Sequence, residues 1–165
     1  MGVWGLLGAL LTAALITAAC GLSWIRRNIT VVRVLGSSMS PAYADGETVL
    51  ARRVRASRLR SGDVAVLRTE TGPRAVKGSE VTYLPVIKRV AALPGEAVPA
   101  DFRGRTARTA GITGTVPAGR VLVLGDNPER SVDSRDYGLL PLDAVEGRVV
   151  RRFREPGKIR TTGPS

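Results

Sequence analysis

A mainly β domain behind one N-terminal membrane-spanning helix is the fold this sequence predicts, on three observations. The first is Val3–Ile25 (VWGLLGALLTAALITAACGLSWI), an apolar run of 23 residues without a charge. As a helix, that length crosses the hydrocarbon core of a bilayer with modest tilt. The second is the remainder of the chain, where short β-branched runs alternate with clusters of Gly, Pro, Asp and Ser. The third is that the chain beyond residue 26 has no long amphipathic helical pattern, no internal repeat and no Gly-rich phosphate loop. The implied boundaries are residues 1–27 for the anchor and its flank, 28–154 for the β domain and 155–165 for a flexible tail.

The anchor carries Trp4 and Trp24 near its two ends, as interfacial residues would be placed. No Lys or Arg precedes it, which separates it from a cleaved signal peptide with its basic leading region. Cys20 follows Thr17-Ala18-Ala19, but Thr17 stands where a lipoprotein cleavage site has Leu, so Cys20 reads as a residue packed in the helix. Arg26-Arg27 come directly after the run, and the positive-inside tendency would put that end in the cytoplasm.

Strands are expected at Ile29–Leu35 and Glu47–Val54, with the SSMSPAYADG turn between them. Val64–Leu67 comes after the turn Arg58–Asp63, and Thr69–Glu80 reads as a polar loop. Val81–Ala92 reads as one long strand, bent or at an edge because it contains Pro85. Residues 97–119 look irregular, Val121–Leu124 looks like a short buried strand, and Arg148–Phe153 is the last strand.

Composition narrows the chemistry. About 140 residues remain for the water-exposed part, enough for one domain with a real core. The net charge of +11 suggests an anionic partner or simply a basic solvated surface. Nucleic acid is disfavoured, because only 4% of residues are aromatic and Lys and Arg are scattered rather than gathered. Anionic lipid headgroups fit the apolar N-terminus better. There is no histidine, which removes Ser-His-Asp catalysis and imidazole metal sites. The single cysteine excludes an intramolecular disulfide and a thiolate cluster. No cofactor and no metal are expected.

Three stretches carry candidate chemistry. In Val34–Arg53, Ser38-Met39 followed by Pro41 puts a serine on a turn after an apolar run, which can expose a hydroxyl beside a backbone N–H. In Val86–Val90 (VIKRV), Lys88 sits among apolar strand residues. An ordinary lysine is protonated at neutral pH, and burial can lower its pKa enough to free the amine. The bland alternative is a strand on which Lys88 and Arg89 alternate and one of them faces water. Third, Gly125–Gly138 is dense in Asp, Ser and Arg. It fits a locally capped surface turn or a polar scaffold for catalytic groups. A calcium loop fits less well, since its acids miss the alternating positions and Arg130 and Arg135 oppose a cation.

Taken together, GSSMSP, VIKRVAALPGE and GDNPERSVDSRDYG, in that order behind an apolar N-terminus, resemble the sequence boxes of bacterial type I signal peptidases. These are membrane-bound serine proteases of peptidase family S26 that use a Ser/Lys dyad. The resemblance also takes in Gly62–Arg68 and leaves out residues 97–119 and the tail. It implies a compact form of the family's antiparallel β domain, too small for the larger accessory domain.

By this resemblance Ser38 is the nucleophile, Lys88 the general base and Ser131 the hydroxyl that orients the lysine. Asp133 and Arg135 are the supporting ion pair, with Arg89 and Asp126 close by. The Ser38 backbone N–H is one oxyanion donor, while Gly36 stands where some relatives place a serine that supplies a second. Met39 and Pro41 are expected against substrate. The chain departs from the family at Pro41-Ala42-Tyr43 and at Ala92. Its implied function is removal of signal or leader peptides from exported preproteins; the oligomeric state stays open, with a monomer expected. Its implied place is the cell membrane, single-pass, with the catalytic domain on the extracytoplasmic side despite Arg26-Arg27. A dedicated protease for one leader peptide and a non-enzymatic basic membrane-tethered β module are the alternatives. A repressor-type self-cleaving protease is disfavoured, because the chain has an apolar span and no DNA-binding part.

Overall fold

The computed structural model describes residues 2–68, 74–77 and 80–153, with the side chains of residues 5, 6, 9, 56, 74–77 and 80–82 outside the description. The expected tail at 155–165 lies outside the described residues. The chain divides into two compact units, one ending at Thr30 and one beginning at Val31.

The first unit is the helix α1, Val3–Asn28. Its polar side chains turn back on its own backbone: Thr17 Oγ1 donates to the Ala13 carbonyl at 2.8 Å and Asn28 Nδ2 to the Trp24 carbonyl at 2.8 Å. Arg26 and Arg27 occupy the last turn, where cations complement the helix dipole. Leu10, Leu11, Leu15, Ile16 and Trp24 are all exposed. Among the described residues no helix is long and apolar enough to cross a membrane. The span expected over Val3–Ile25 therefore does not emerge from the described residues, and the side chains of residues 5, 6 and 9 within that run lie outside them.

The second unit is antiparallel β. Its strands are β1 (Ile29–Arg33, which begins in the first unit), β2 (Thr48–Arg52), β3 (Val64–Leu67), β4 (Arg74–Lys77), β5 (Glu80–Tyr83), β6 (Val86–Ala92), β7 (Arg120–Leu124), β8 (Leu140–Pro141) and β9 (Val145–Phe153). Seven of them form one sheet in the order β1-β2-β9-β3-β6-β7-β8, and β4-β5 form a separate ladder. Register shifts at Leu50/Ala51, Val66/Leu67 and Val90/Ala92 break the ladders locally and increase the sheet's twist.

Two expectations change here. The polar loop read over Thr69–Glu80 contains strand β4, paired with β5 from Arg74↔Tyr83 to Lys77↔Glu80. The single long strand read over Val81–Ala92 is two strands in different sheets, parted at Leu84-Pro85. Proline has no N–H for a ladder and restricts the residue before it, so the chain leaves one sheet there and enters the other.

The core sits on both faces of the main sheet. All four residues of β3 are buried. Val64 and Val66 point into a cluster with Val32, Val34, Met39, Val49 and Ile87, whereas Ala65 and Leu67 join Val90, Val121 and Val123. The alternation of a strand produces this division directly. It also fixes the site, because Lys88 shares the face of Val86 and Val90 and pairs with Ala65 on β3.

Candidate active site

Lys88 is only 5% exposed, so the alternative of a strand lysine facing water is overturned. Arg89, one residue on, takes the other face, where it makes a two-pronged pair with Asp126 at 2.7 and 2.6 Å and donates to the Gly62 carbonyl. The Lys88 amine donates to Ser131 Oγ at 2.9 Å, and Ser131 Oγ donates to Asp133 Oδ2 at 2.6 Å. Burial lowers the Lys88 pKa from its ordinary 10.5; Asp133 and Asp136 pull it up and Arg135 pushes it down, with burial the largest influence.

Asp133 is the hub of the loop and its side chain is fully buried. Beside Ser131 it accepts from the Gly125 N–H at 2.8 Å and from Arg135 Nε at 2.9 Å. Burial opposes its ionisation, yet the bonds from Arg135, Ser131 and the two backbone N–H groups outweigh it and hold the carboxyl below its ordinary range. Locally, Asp133 is also the N-cap of the short helix α2, Ser134–Tyr137. The Asp133 carboxylate accepts from the Arg135 N–H while Asp136 accepts from the Asp133 N–H at 2.9 Å, a reciprocal cap. Ser134 Oγ accepts from the Val123 N–H at 3.0 Å, which ties the cap to β7.

Ser38 is half-buried on the turn between β1 and β2. Its carbonyl accepts from the Asn127 N–H at 3.0 Å, so the turn is stapled to the loop that carries Ser131. Gly125 is where they meet. A Cβ there would lie 2.6 Å from the Ser38 carbonyl oxygen and closer still to Ser131 Oγ, so only glycine fits without displacing one of them. Gly36, two residues before Ser38, has φ +79°, a backbone setting that favours glycine over serine, and its N–H is held by Asp45 at 2.8 Å. Among the described residues no group accepts the Ser38 N–H.

The structure thus brings together Ser38, Lys88, Ser131, Asp133 and Arg135 through β6, the turn and the loop, with Arg89 and Asp126 bracing the loop's start. Met39 does not fit its expected role against substrate. Its side chain has no exposed surface and belongs to the core, because the turn needs an apolar residue beneath it. Pro41 is exposed, as a substrate contact requires. Sequence reasoning missed Arg105 and Thr109, which lie in the stretch taken as an irregular connection. Thr109 Oγ1 donates to the Arg135 carbonyl at 2.8 Å, and the Arg105 guanidinium reaches the Ser131 carbonyl at 2.8 Å. The one available signal was two Arg and two Thr within the five residues Arg105–Thr109, too weak without a partner in view. Among the described residues no group of side chains could hold a metal ion.

Comparison with known proteins identifies the family. The family described as "Signal peptidase, peptidase S26" matches residues 6–107 and 101–154. The chain is 30% identical to Signal peptidase IB of Staphylococcus aureus over 161 residues, covering 76% of this chain and 78% of the relative. It is 30% identical to mitochondrial inner membrane protease subunit 1 of Schizosaccharomyces pombe, over 71% of this chain and 68% of the relative. It is 29% identical to mitochondrial ATP-independent inner membrane protease subunit 1a of Arabidopsis thaliana, over 78% of this chain and 72% of the relative. The chain belongs to the signal peptidase family, peptidase S26.

Proposed function

We propose that this peptidase cleaves its preprotein substrates with Ser38 as nucleophile and Lys88 as general base. The observation that carries the reading is a lysine amine buried in a strand face and fixed by a hydroxyl whose own proton is committed elsewhere. Ser131 donates to Asp133, so it can only accept from Lys88. A neutral Lys88 amine then spends one N–H on Ser131 and keeps its lone pair for the hydroxyl of Ser38. The Ser38 Oγ attacks the scissile carbonyl, its proton passes to Lys88, and the ammonium returns a proton to the leaving amine. Water, deprotonated by the same amine, releases the acyl group. The Ser38 N–H serves the developing oxyanion.

The test is cleavage of a preprotein-derived peptide with small residues at −1 and −3. Ser38→Ala and Lys88→Ala each lower kcat by about 10³-fold or more with the fold unchanged by circular dichroism. Lys88 acts as a base only when neutral, so activity rises with pH through its depressed pKa, giving an acidic limb below 10.5. Retained cleavage in either variant, or a limb at 10.5 or above, rejects the dyad.

The same reading anchors the chain through residues 1–27 and places residues 28–154 on the extracytoplasmic side. The inward-bonded polar groups of α1 and its exposed leucines support it, since a helix in lipid must satisfy its own polar atoms. Membrane-impermeant labelling of a cysteine introduced near Arg151 in intact cells is expected to succeed; labelling only after lysis overturns this placement.

A further inference from the structure

We infer that Arg105, which lies outside the three boxes that carry the family resemblance, is a positioning residue for the peptidase reaction, holding the 125–138 loop so that Ser131 can fix Lys88. The inference rests on the dyad reading above and extends it to a part of the chain that the sequence leaves featureless.

The guanidinium of Arg105 makes contacts at three points of the loop. Nη1 donates to the Ser131 carbonyl at 2.8 Å and to Asp136 Oδ2 at 3.0 Å, and Nη2 donates to the Pro128 carbonyl. Its backbone N–H adds a fourth tie, to the Arg135 carbonyl at 2.6 Å. These partners are not interchangeable surface groups. Ser131 carries the hydroxyl that Lys88 binds, and Asp136 accepts the N–H of Asp133, whose carboxylate receives the Ser131 proton. One planar group therefore fixes Ser131 from its own carbonyl and Asp133 through Asp136. Only a guanidinium has the fan of donors to do this; a lysine in its place offers a single charged point. Arg105 is partly exposed, with 36% of its side chain accessible, and none of its contacts points at Lys88 or Ser38 directly. Its effect on catalysis passes through the loop.

The position also has its own support. Thr109 Oγ1 holds the Arg135 carbonyl, and Thr106 Oγ1 shares a bond with Thr109 Oγ1 at 2.9 Å, so the segment carrying Arg105 is bound to the loop beside it. A Cβ on Gly104 would collide with the Thr109 backbone, which shows how closely the segment folds on itself.

The experiment measures kcat, KM and the acidic limb of the pH profile for Arg105→Ala, Arg105→Gln and Arg105→Lys in the full chain, beside Ser38→Ala and Lys88→Ala. Arg105→Ala is expected to lower kcat about ten-fold with KM changed less than about two-fold, and to move the acidic limb to higher pH. Both consequences of the loss act in that direction: Asp136, which pulls the Lys88 pKa up, loses its paired cation, and a looser Ser131 admits water to the lysine amine. Arg105→Lys keeps the charge but replaces the planar fork with one compact ammonium, and is expected to fall between wild type and Ala. A kcat, KM and limb unchanged in Arg105→Ala while Ser38→Ala and Lys88→Ala are inactive overturns the role of Arg105 and leaves the dyad standing. Activity retained in Lys88→Ala overturns the dyad itself. Should Arg105→Ala fail to fold, the limb of Arg105→Gln decides, and a wild-type limb there rejects the inference.

Discussion

The turn that carries Ser38 and the loop that carries Ser131 are built on opposite principles. The turn is held from below by apolar packing: Met39 is fully buried, in one cluster with Val34 and Val49, and the side chains that tie its backbone, Asp45, Glu47 and Arg152, each make a single hydrogen bond to it. The loop has no core of its own and is held by charge. Asp133, Arg135, Asp136 and Arg105 meet in a continuous set of hydrogen bonds, and Arg89 with Asp126 makes a separate ion pair at the loop's start. The difference suits the two tasks. A nucleophile needs a rigid backbone and a free hydroxyl, which packing supplies without competing donors. A base that must be neutral needs burial together with an acceptor aimed at it, which only a polar network can provide inside a sheet.

The largest break in this comparison is Asp133→Asn. An amide cannot balance the Arg135 guanidinium and presents a donor to it, so a buried pair is left half-made. Stability should fall by about 3 kcal/mol, and kcat by about 10²-fold as Ser131 loses its acceptor. Chemical denaturation and peptide cleavage read the two effects. The pH dependence comes from the depressed carboxyl of Asp133. Its contribution is present above the ordinary aspartate value of 3.8 and is lost as pH falls through the lower folded value. The Asn variant should therefore show a flatter loss of stability in acid; an unchanged slope would assign that loss to other carboxylates.

Met39→Ala tests the other principle. Emptying a fully buried site of this size destabilises by about 2–5 kcal/mol, yet the acidic limb should stay in place because Met39 packs in the cluster of Ile87, on the opposite face of β6 from Lys88. A moved limb would mean that the two regions are not separable. The smallest effect belongs to Asp45→Ala, which removes the acceptor of the exposed Gly36 N–H. A thermal melt should place the loss near or below about 1 kcal/mol; a loss comparable to that of Met39→Ala would show that polar contacts hold the turn after all.

Much of the fold was legible in the residues. Val64–Leu67 is a strand over the span its apolar run marked, and β1, β2, β7 and β9 lie where β-branched runs marked them, with ends moved by a few residues. Strand β4 was hidden because it is four residues long with a charge at each end, so periodicity had little to register, whereas β5 was read as the start of one long strand with β6. The candidate site divides in the same way. Ser38, Lys88 and the Asp–Ser–Arg loop stood out as residue types in an order that resembled a family. Met39 was misplaced because an apolar side chain on a turn looks alike in sequence whether it faces substrate or core.

By itself, the sequence determined the chemistry available: no histidine, a lysine among apolar strand residues, a serine on a turn, and a loop able to cap and pair itself. Those are properties of residue types and local spacing, which act within a few positions along the chain. What only the tertiary structure decided was which face Lys88 takes, what receives the Ser131 proton, why Gly125 has no room for a side chain, and that Arg105 belongs with the loop. Each of these joins residues separated along the chain or distinguishes among partners crowded within one loop. The physical reason is that burial and hydrogen-bond direction are set by the packed neighbours, which a strand's alternation points toward but does not name.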